Sequence, residues 1–339
     1  MAQKRDGIDM LKKQIASGQI GPLYIFHGVE THLRDHYLNL LQKKLLPDGL
    51  DSFNLDIFEG KGLTLSRLSD AAESVPVMSE RRIVRVDDFD LYKIPADSRP
   101  DWEAFFAALS GHVCLIFVYD ILPYKPDART KFHAALSKLA AVVEFPLQET
   151  AQLVTWLTRH FSAQGKIIDR QTCEYLIFRC GSLMTALRGE VGKVAAYASA
   201  ERITKKEIDA VTVPVLEAVI FDLTDAVADG RVKKAAEILQ TLQWMREPPE
   251  VLLGALSKTL RGLYVARLAL DTRKNARQVM EALGYRSAYP AEKLMAAAKK
   301  RSLEWCRHTL RLSRKADGDL KGGSRDRERV MEWMLANLA

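Results

Sequence analysis

The strongest constraint on the fold is the point at which the strands stop. Five short apolar runs, at residues 22–28, 52–58, 82–86, 113–119 and 141–145, alternate with helical stretches such as 8–16, 30–46, 102–109 and 130–139, and beyond Thr150 no run reads as a strand. Continuous apolar runs separated by helices argue for a mostly parallel sheet covered on both faces. After Thr150 the apolar residues fall at helical spacing, as in Leu153, Trp156 and Leu157 or Tyr175, Leu176 and Phe178. Ile203-Thr204-Lys205-Lys206-Glu207-Ile208 opens a helix with a capping box, Thr204 as N-cap and Glu207 three residues on. From Val219 the helices lengthen, and Pro248-Pro249 divides the first two. A chain of 339 residues exceeds what one core usually supports. The expected class is therefore α/β plus all-α, with an α/β domain at 1–147, a small helical domain at 148–213 and a larger helical domain at 214–339.

Composition removes several classes of function. No apolar run is long enough to span a bilayer, and Met1-Ala2-Gln3-Lys4-Arg5-Asp6-Gly7 has no signal-peptide hydrophobic stretch, so no membrane partner and a cytoplasmic location are expected. Cys114, Cys173, Cys180 and Cys306 lack CxxC spacing, which indicates neither a disulfide framework nor a zinc site. His32 and His36 are one helical turn apart, but no Glu follows His32, which argues against a zinc pair. The net charge of +7 is concentrated: residues 271–339 carry 16 Lys or Arg against 9 Asp or Glu, a surplus equal to that of the whole chain. A basic helical segment suits contact with phosphates; the competing reading is a solvated, lysine-rich surface.

One stretch spends hydrophobes where a turn should be. In Ala71-Ala72-Glu73-Ser74-Val75-Pro76-Val77-Met78-Ser79-Glu80-Arg81-Arg82-Ile83-Val84, a helix from about Leu63 must end at Pro76, which disfavours helical backbone at Val75 and lacks an N–H. Val75, Val77 and Met78 then fall on the turn before the next strand. Either they fold back beneath the sheet as core, or they protrude as a small plug for a pocket on another protein.

A helix, a Pro-apolar-apolar turn and a strand opening on Glu80-Arg81-Arg82-Ile83-Val84 resemble the delta subunit of the bacterial DNA polymerase III clamp loader. Pro76 matches that family's turn, Val77 stands where Leu is usual, and Met78 replaces the commoner Phe. Similar segments run along the chain in family order: Gly28-Val29-Glu30-Thr31-His32-Leu33, Asp127-Ala128-Arg129-Thr130-Lys131-Phe132 (with Ala128 departing), Glu190-Val191-Gly192-Lys193-Val194, Phe221-Asp222-Leu223 and Lys321-Gly322-Gly323.

The resemblance implies an ATPase-like (AAA+-type) α/β domain, a helical lid and a helical collar. It implies a subunit that binds and helps open the sliding clamp (the beta subunit) for loading onto primed DNA. Val75, Pro76, Val77 and Met78 would make the contact, and the gamma/tau and delta prime subunits would complete a hetero-pentamer in the cytoplasmic, nucleoid-associated replisome. Lys321 and Arg325, beside the glycine turn, are the first candidates for DNA contact. No cofactor and no catalytic site are expected, although the subunit belongs to a DNA-directed DNA polymerase holoenzyme grouped with nucleotidyltransferases.

The residues around Gly28 agree with that absence of catalysis. A phosphate-cradling loop needs a Lys for the phosphates and a Ser or Thr for magnesium, whereas this turn reads Gly28-Val29-Glu30-Thr31-His32-Leu33-Arg34-Asp35. The strand-end acids Asp87, Asp88 and Asp120 imitate a metal-binding strand but read as caps and surface charges without such a loop. Phe178-Arg179-Cys180 resembles an arginine-finger motif only superficially, since it lies on a helix of the lid. Two alternatives remain from the residues alone: a nucleotide hydrolase with a degenerate phosphate loop, and a stand-alone nucleic-acid-binding adaptor.

Overall fold

A computed structural model describes residues 3–46, 48–244, 246–322 and 326–338. The chain divides into two compact units, residues 1–148 with 183–185, and residues 149–182 with 186–339. In the first unit, helix α1 (Gln3–Ser17) precedes β1 (Leu23–His27), α2 (Thr31–Leu45), α3 (Asp51–Asn54) and β2 (Leu55–Glu59). Then come α4 (Leu65–Glu73), β3 (Arg82–Asp87), α5 (Arg99–Ala107), β4 (Val113–Val118), α6 (Lys131–Leu139) and β5 (Ala141–Glu144). All five strands are parallel, in the order β2-β3-β4-β1-β5, so the parallel sheet expected from the alternating apolar runs is present.

The pleat sorts the strand residues onto two buried faces. Leu23, Ile25, Val84, Val86, Leu115 and Phe117 meet Leu68 and Ala72 of α4, Trp102 and Phe106 of α5, and Phe132 and Leu136 of α6. The alternate residues Tyr24, Phe26, Ile83, Cys114, Ile116 and Val118 meet Leu11 of α1 and Tyr37 and Leu41 of α2. With both faces covered, every residue of β4 is buried, which is why its sequence is apolar without interruption. Strand β2 differs from the sequence reading. The run at 52–58 begins as a helical turn, α3, and becomes strand only at Leu55.

The second unit is helical: α7 (Thr150–Ser162), α8 (Arg170–Cys180), α9 (Met184–Tyr197), α10 (Lys205–Val211), α11 (Leu216–Ala228) and α12 (Val232–Trp244), then α13 (Pro249–Asp271), α14 (Ala276–Leu283), α15 (Ala288–Ala298), α16 (Leu303–Lys321) and α17 (Arg327–Leu338). Residues Leu183–Thr185, at the start of α9, group with the first unit. The capping box at α10 forms as the sequence indicated, with the Thr204 hydroxyl and the Glu207 carboxylate bonding across the helix start. Leu256 and Leu260 of α13 anchor one core with α11, α12, α16 and α17. Leu263 and Ala266, a turn or two later, anchor a second with α14 and α15.

Candidate functional site

The turn between α4 and β3 is built outward from its ends. Leu68 and Ala72, four residues apart on α4, lie against the sheet; a fully buried Leu alone is worth about 1.5–3 kcal/mol. The helix stops at Glu73, and Ser74 is already extended with its hydroxyl donating to the carbonyl of Asp70 at 2.7 Å. Chain direction therefore changes before Pro76, as the steric demand of that ring on Val75 requires. Beyond Ser74 the chain does not return under the sheet. Val75 is 77% exposed, Val77 44% and Met78 84%. The fold-back alternative fails, and the four residues marked in the sequence sit together as one protruding segment. Three large apolar groups on one short turn form the kind of surface that usually meets a partner.

Polar bonds hold this turn. The side chain of Asn54, fully buried at the end of α3, accepts the Val77 N–H at 2.8 Å and donates to the Val77 carbonyl at 2.9 Å and to the Leu50 carbonyl at 3.2 Å. Met78 adopts a left-handed backbone at φ 50°. The Ser79 hydroxyl donates to the Arg81 carbonyl at 2.9 Å. The Arg81 guanidinium then donates to three carbonyls, those of Ile20 at 2.6 Å, Gly21 at 3.1 Å and Val113 at 2.9 Å, tying the chain just before β3 to the entries of β1 and β4. Arg82, one residue on, pairs with Asp56 of β2. The sequence does not single out Asn54, and Arg81 enters only as part of the Glu80-Arg81-Arg82 segment, with no role assigned to it. Asn54 lies inside a run that reads as strand, and its bonds to Val77 join residues 23 positions apart.

At the opposite, C-terminal edge of the sheet lies the corner where an ATPase would hold phosphate. Gly28 has φ 126°, and a Cβ there would overlap the backbone of Phe145. Glu30 is fully buried and its two carboxylate oxygens accept the Met184 N–H at 3.2 and 3.3 Å. Burial raises its pKa, and the bond from Met184 only partly opposes this. Arg34 is buried as well; burial works against its charge, but bonds to Asp120 at 2.8 Å and Asp35 at 3.1 Å outweigh that and hold it above its usual value. Asp88 caps the chain after β4, one carboxylate oxygen accepting the N–H groups of Asp120, Ile121 and Leu122, each at 2.9 Å. Asp87 pairs with Arg85. Each strand-end acid thus has a partner, and among the described residues no group of three His, Cys, Asp or Glu could hold a metal ion. Arg179, the finger-like residue, bonds the Thr212 hydroxyl at 2.8 Å and pairs with Asp209 at 3.3 Å.

The basic segment has its own geometry. Lys321, in the last turn of α16, pairs with Asp317 at 2.7 Å and is exposed. Arg325, like Gly323, lies outside the described residues. Arg307, Arg311 and Arg314 are exposed at i, i+4 and i+7 on α16, a basic stripe that the helical period of the sequence could have revealed.

Family models for the DNA polymerase III delta subunit match residues 24–146, and for its C-terminal domain residues 217–338. The chain belongs to the DNA polymerase III delta-subunit family. DNA polymerase III subunit delta of Bacillus subtilis (strain 168) is 22% identical over 333 residues, covering 96% of this chain and 95% of that protein. A probable DNA polymerase III subunit delta of Aquifex aeolicus (strain VF5) is 21% identical over 291 residues, covering 83% and 81%. The solved structure of the Bacillus subtilis DNA clamp loader delta protein superposes with a TM-score of 0.51 at 20% identity, covering 98% of this chain and 99% of that one, and so shares the fold. The delta-family segments named from the sequence also have visible structural roles. Asp127 pairs with Arg129 while Thr130 caps α6, Glu190 pairs with Lys193 on α9, and Asp222 pairs with Lys293 at 3.0 Å.

Proposed function

We propose that this chain is the clamp-loader delta subunit of a bacterial replisome, gripping the sliding clamp through Val75, Pro76, Val77 and Met78 and helping to hold the ring open for primed DNA. The observation that carries the reading is the apolar turn itself, exposed at its tip and bonded at its base, in a chain of the delta family. Such a turn opens a ring only by fitting the open or strained interface better than the closed one, because a ligand shifts an equilibrium only by its difference in affinity. Within this reading the ATPase-like domain is 1–147, the lid 148–213 and the collar 214–339, and the collar joins the chain to the gamma/tau and delta prime subunits. The location is cytoplasmic; among the described residues no helix is long and apolar enough to cross a membrane.

The subunit neither binds nor hydrolyses ATP in this proposal. The turn after Gly28 carries Glu30, whose buried carboxylate accepts the Met184 N–H, in place of the Lys and hydroxyl that a triphosphate needs, and Arg34 is already engaged by Asp120 and Asp35. Lys321 and Arg325 remain the candidates for DNA contact, and Arg307, Arg311 and Arg314 on α16 join them. The deciding experiment is direct binding of the full chain to the sliding clamp of the same organism. The Val77→Ala/Met78→Ala double variant should lose that binding and keep its fold; wild-type affinity in the double variant would end the proposal.

A further inference from the structure

The docking turn is held in a conformation that its own residues do not favour. Left-handed backbone at an ordinary L-residue such as Met78 is under-populated by roughly tenfold in a free chain, and a competent state populated in that fraction weakens apparent affinity by the same factor. Something must offset this bias in the folded protein. Val75 and Met78 cannot, because their side chains are in solvent.

Asn54 is placed to do so. Its carboxamide faces the backbone amide of Val77, one residue before Met78, and pairs with it at both N–H and C=O, as a neighbouring strand would. The second N–H of the same carboxamide is taken by the Leu50 carbonyl, which fixes the orientation of the group. No other side-chain type does this at the same length: Asp would turn a carboxylate toward two carbonyl oxygens, and Leu would leave the Val77 amide unpaired. We infer that Asn54 is the positioning residue of the docking turn, pre-ordering Val77 and Met78 for capture by a partner's apolar pocket. The inference rests on the docking reading proposed above and adds to it a residue that touches no partner.

The test measures clamp affinity and thermal midpoint for the full chain carrying Asn54→Leu, Met78→Ala, both together, or Leu136→Ala. Asn54→Leu should weaken the clamp interaction by about tenfold, the population that the clasp supplies. Leu136→Ala, which destabilises the same unit from α6, should leave affinity unchanged well below its midpoint. In the Met78→Ala background Asn54→Leu should cost less than it does alone, because one of the two side chains that the clasp orders is gone. Wild-type affinity for Asn54→Leu, while Met78→Ala binds poorly, would overturn the inference and leave the docking reading standing. Wild-type affinity for Met78→Ala would remove both. Should Asn54→Leu fail to fold, hydrogen exchange on the wild-type chain decides: the clasp requires the Val77 N–H to exchange as slowly as amides inside the sheet, and exchange at the rate of an open loop refutes it.

Discussion

Replacing Met78 by Gly should move folding and docking in opposite directions. In the free chain the Met78 side chain is 84% exposed, so removing it forfeits little packing. Its backbone at φ 50° costs an L-residue about 1–2 kcal/mol, a cost that glycine escapes. Against this stands the greater freedom of glycine in the unfolded chain, about 0.4–1 kcal/mol. The balance runs from zero to about 1.6 kcal/mol in favour of the variant, a midpoint unchanged or raised by up to about 6 °C. Under the docking proposal the same side chain becomes buried on the clamp, and burying a Met is worth about 1.5–3 kcal/mol, so affinity should fall by roughly ten- to a hundredfold. Met78→Ala separates the two effects. It keeps the backbone cost, so stability should stay within about 0.5 kcal/mol while affinity falls by about 2 kcal/mol. Thermal unfolding followed by circular dichroism, with surface plasmon resonance on immobilised clamp, reads both quantities on one preparation. A midpoint lowered by several degrees together with undiminished clamp affinity would show that Met78 belongs to the core and that the docking reading is mistaken.

Calorimetric titration of the isolated chain with Mg-ATP should give no binding in the low micromolar range, and a dissociation constant there would restore the nucleotide-hydrolase alternative. Glu30, its pKa raised by burial above the usual 4.5, holds its proton more tightly folded than unfolded, so stability is lost as pH rises from about that value through the folded one. Glu30→Gln should flatten that fall in denaturant melts, and an unchanged pH slope would show that Glu30 does not contribute. In the assembled loader, neutralising Lys321 should flatten the slope of log DNA affinity against log salt by about one unit, whereas Asp317→Asn, which frees Lys321 from its ion pair, should steepen it; no movement in either variant places Lys321 in solvent. Met78→Phe should tighten clamp binding if the pocket has room for a ring and weaken it if pocket and plug are both shaped around Met, a choice that the same resonance assay reads; no change at all would mean that the residue is not seated in a pocket.

The periodicity of the sequence places strands β1, β3, β4 and β5 and the helices packed on them, because it reflects burial. Strands β3, β4 and β5 begin where their apolar runs begin, and α4 ends before Pro76, since ring sterics act on the preceding residue regardless of context. The failure at 52–58 has a physical cause. Ser52, Phe53 and Asn54 carry no strong helix signal, and what holds Asn54 out of the strand is a bond to Val77, 23 residues away, which no local window contains. Charge was legible in amount and not in effect. The surplus counted over 271–339 is partly met by acids from earlier in the chain: Lys293 by Asp222 and Asp225, Lys300 by Asp229, and Arg327 by Glu250. A segmental charge count therefore overstates the field that segment presents, and the same holds on α16, where Glu304 pairs with Arg311 at 2.8 Å and approaches Arg307 at 3.9 Å.

If the turn from Val75 to Met78 docks as proposed, the residues that order it are the ones hard to recognise in the sequence. A segment that must present apolar side chains to a partner cannot stabilise itself by burying them, so its order has to come from its backbone. Here the Val77 amide is taken by Asn54, the chain after Met78 is held through Ser79, and the approach to β3 is locked by Arg81 on three carbonyls. Each bond is worth about 1 kcal/mol net, enough together to offset one left-handed residue and the ordering of a few others. The residues that make contact and the residues that make contact possible are consequently different sets, the first apolar and contiguous, the second polar and dispersed. Substitutions in the first should change affinity with little effect on folding, and substitutions in the second should change both.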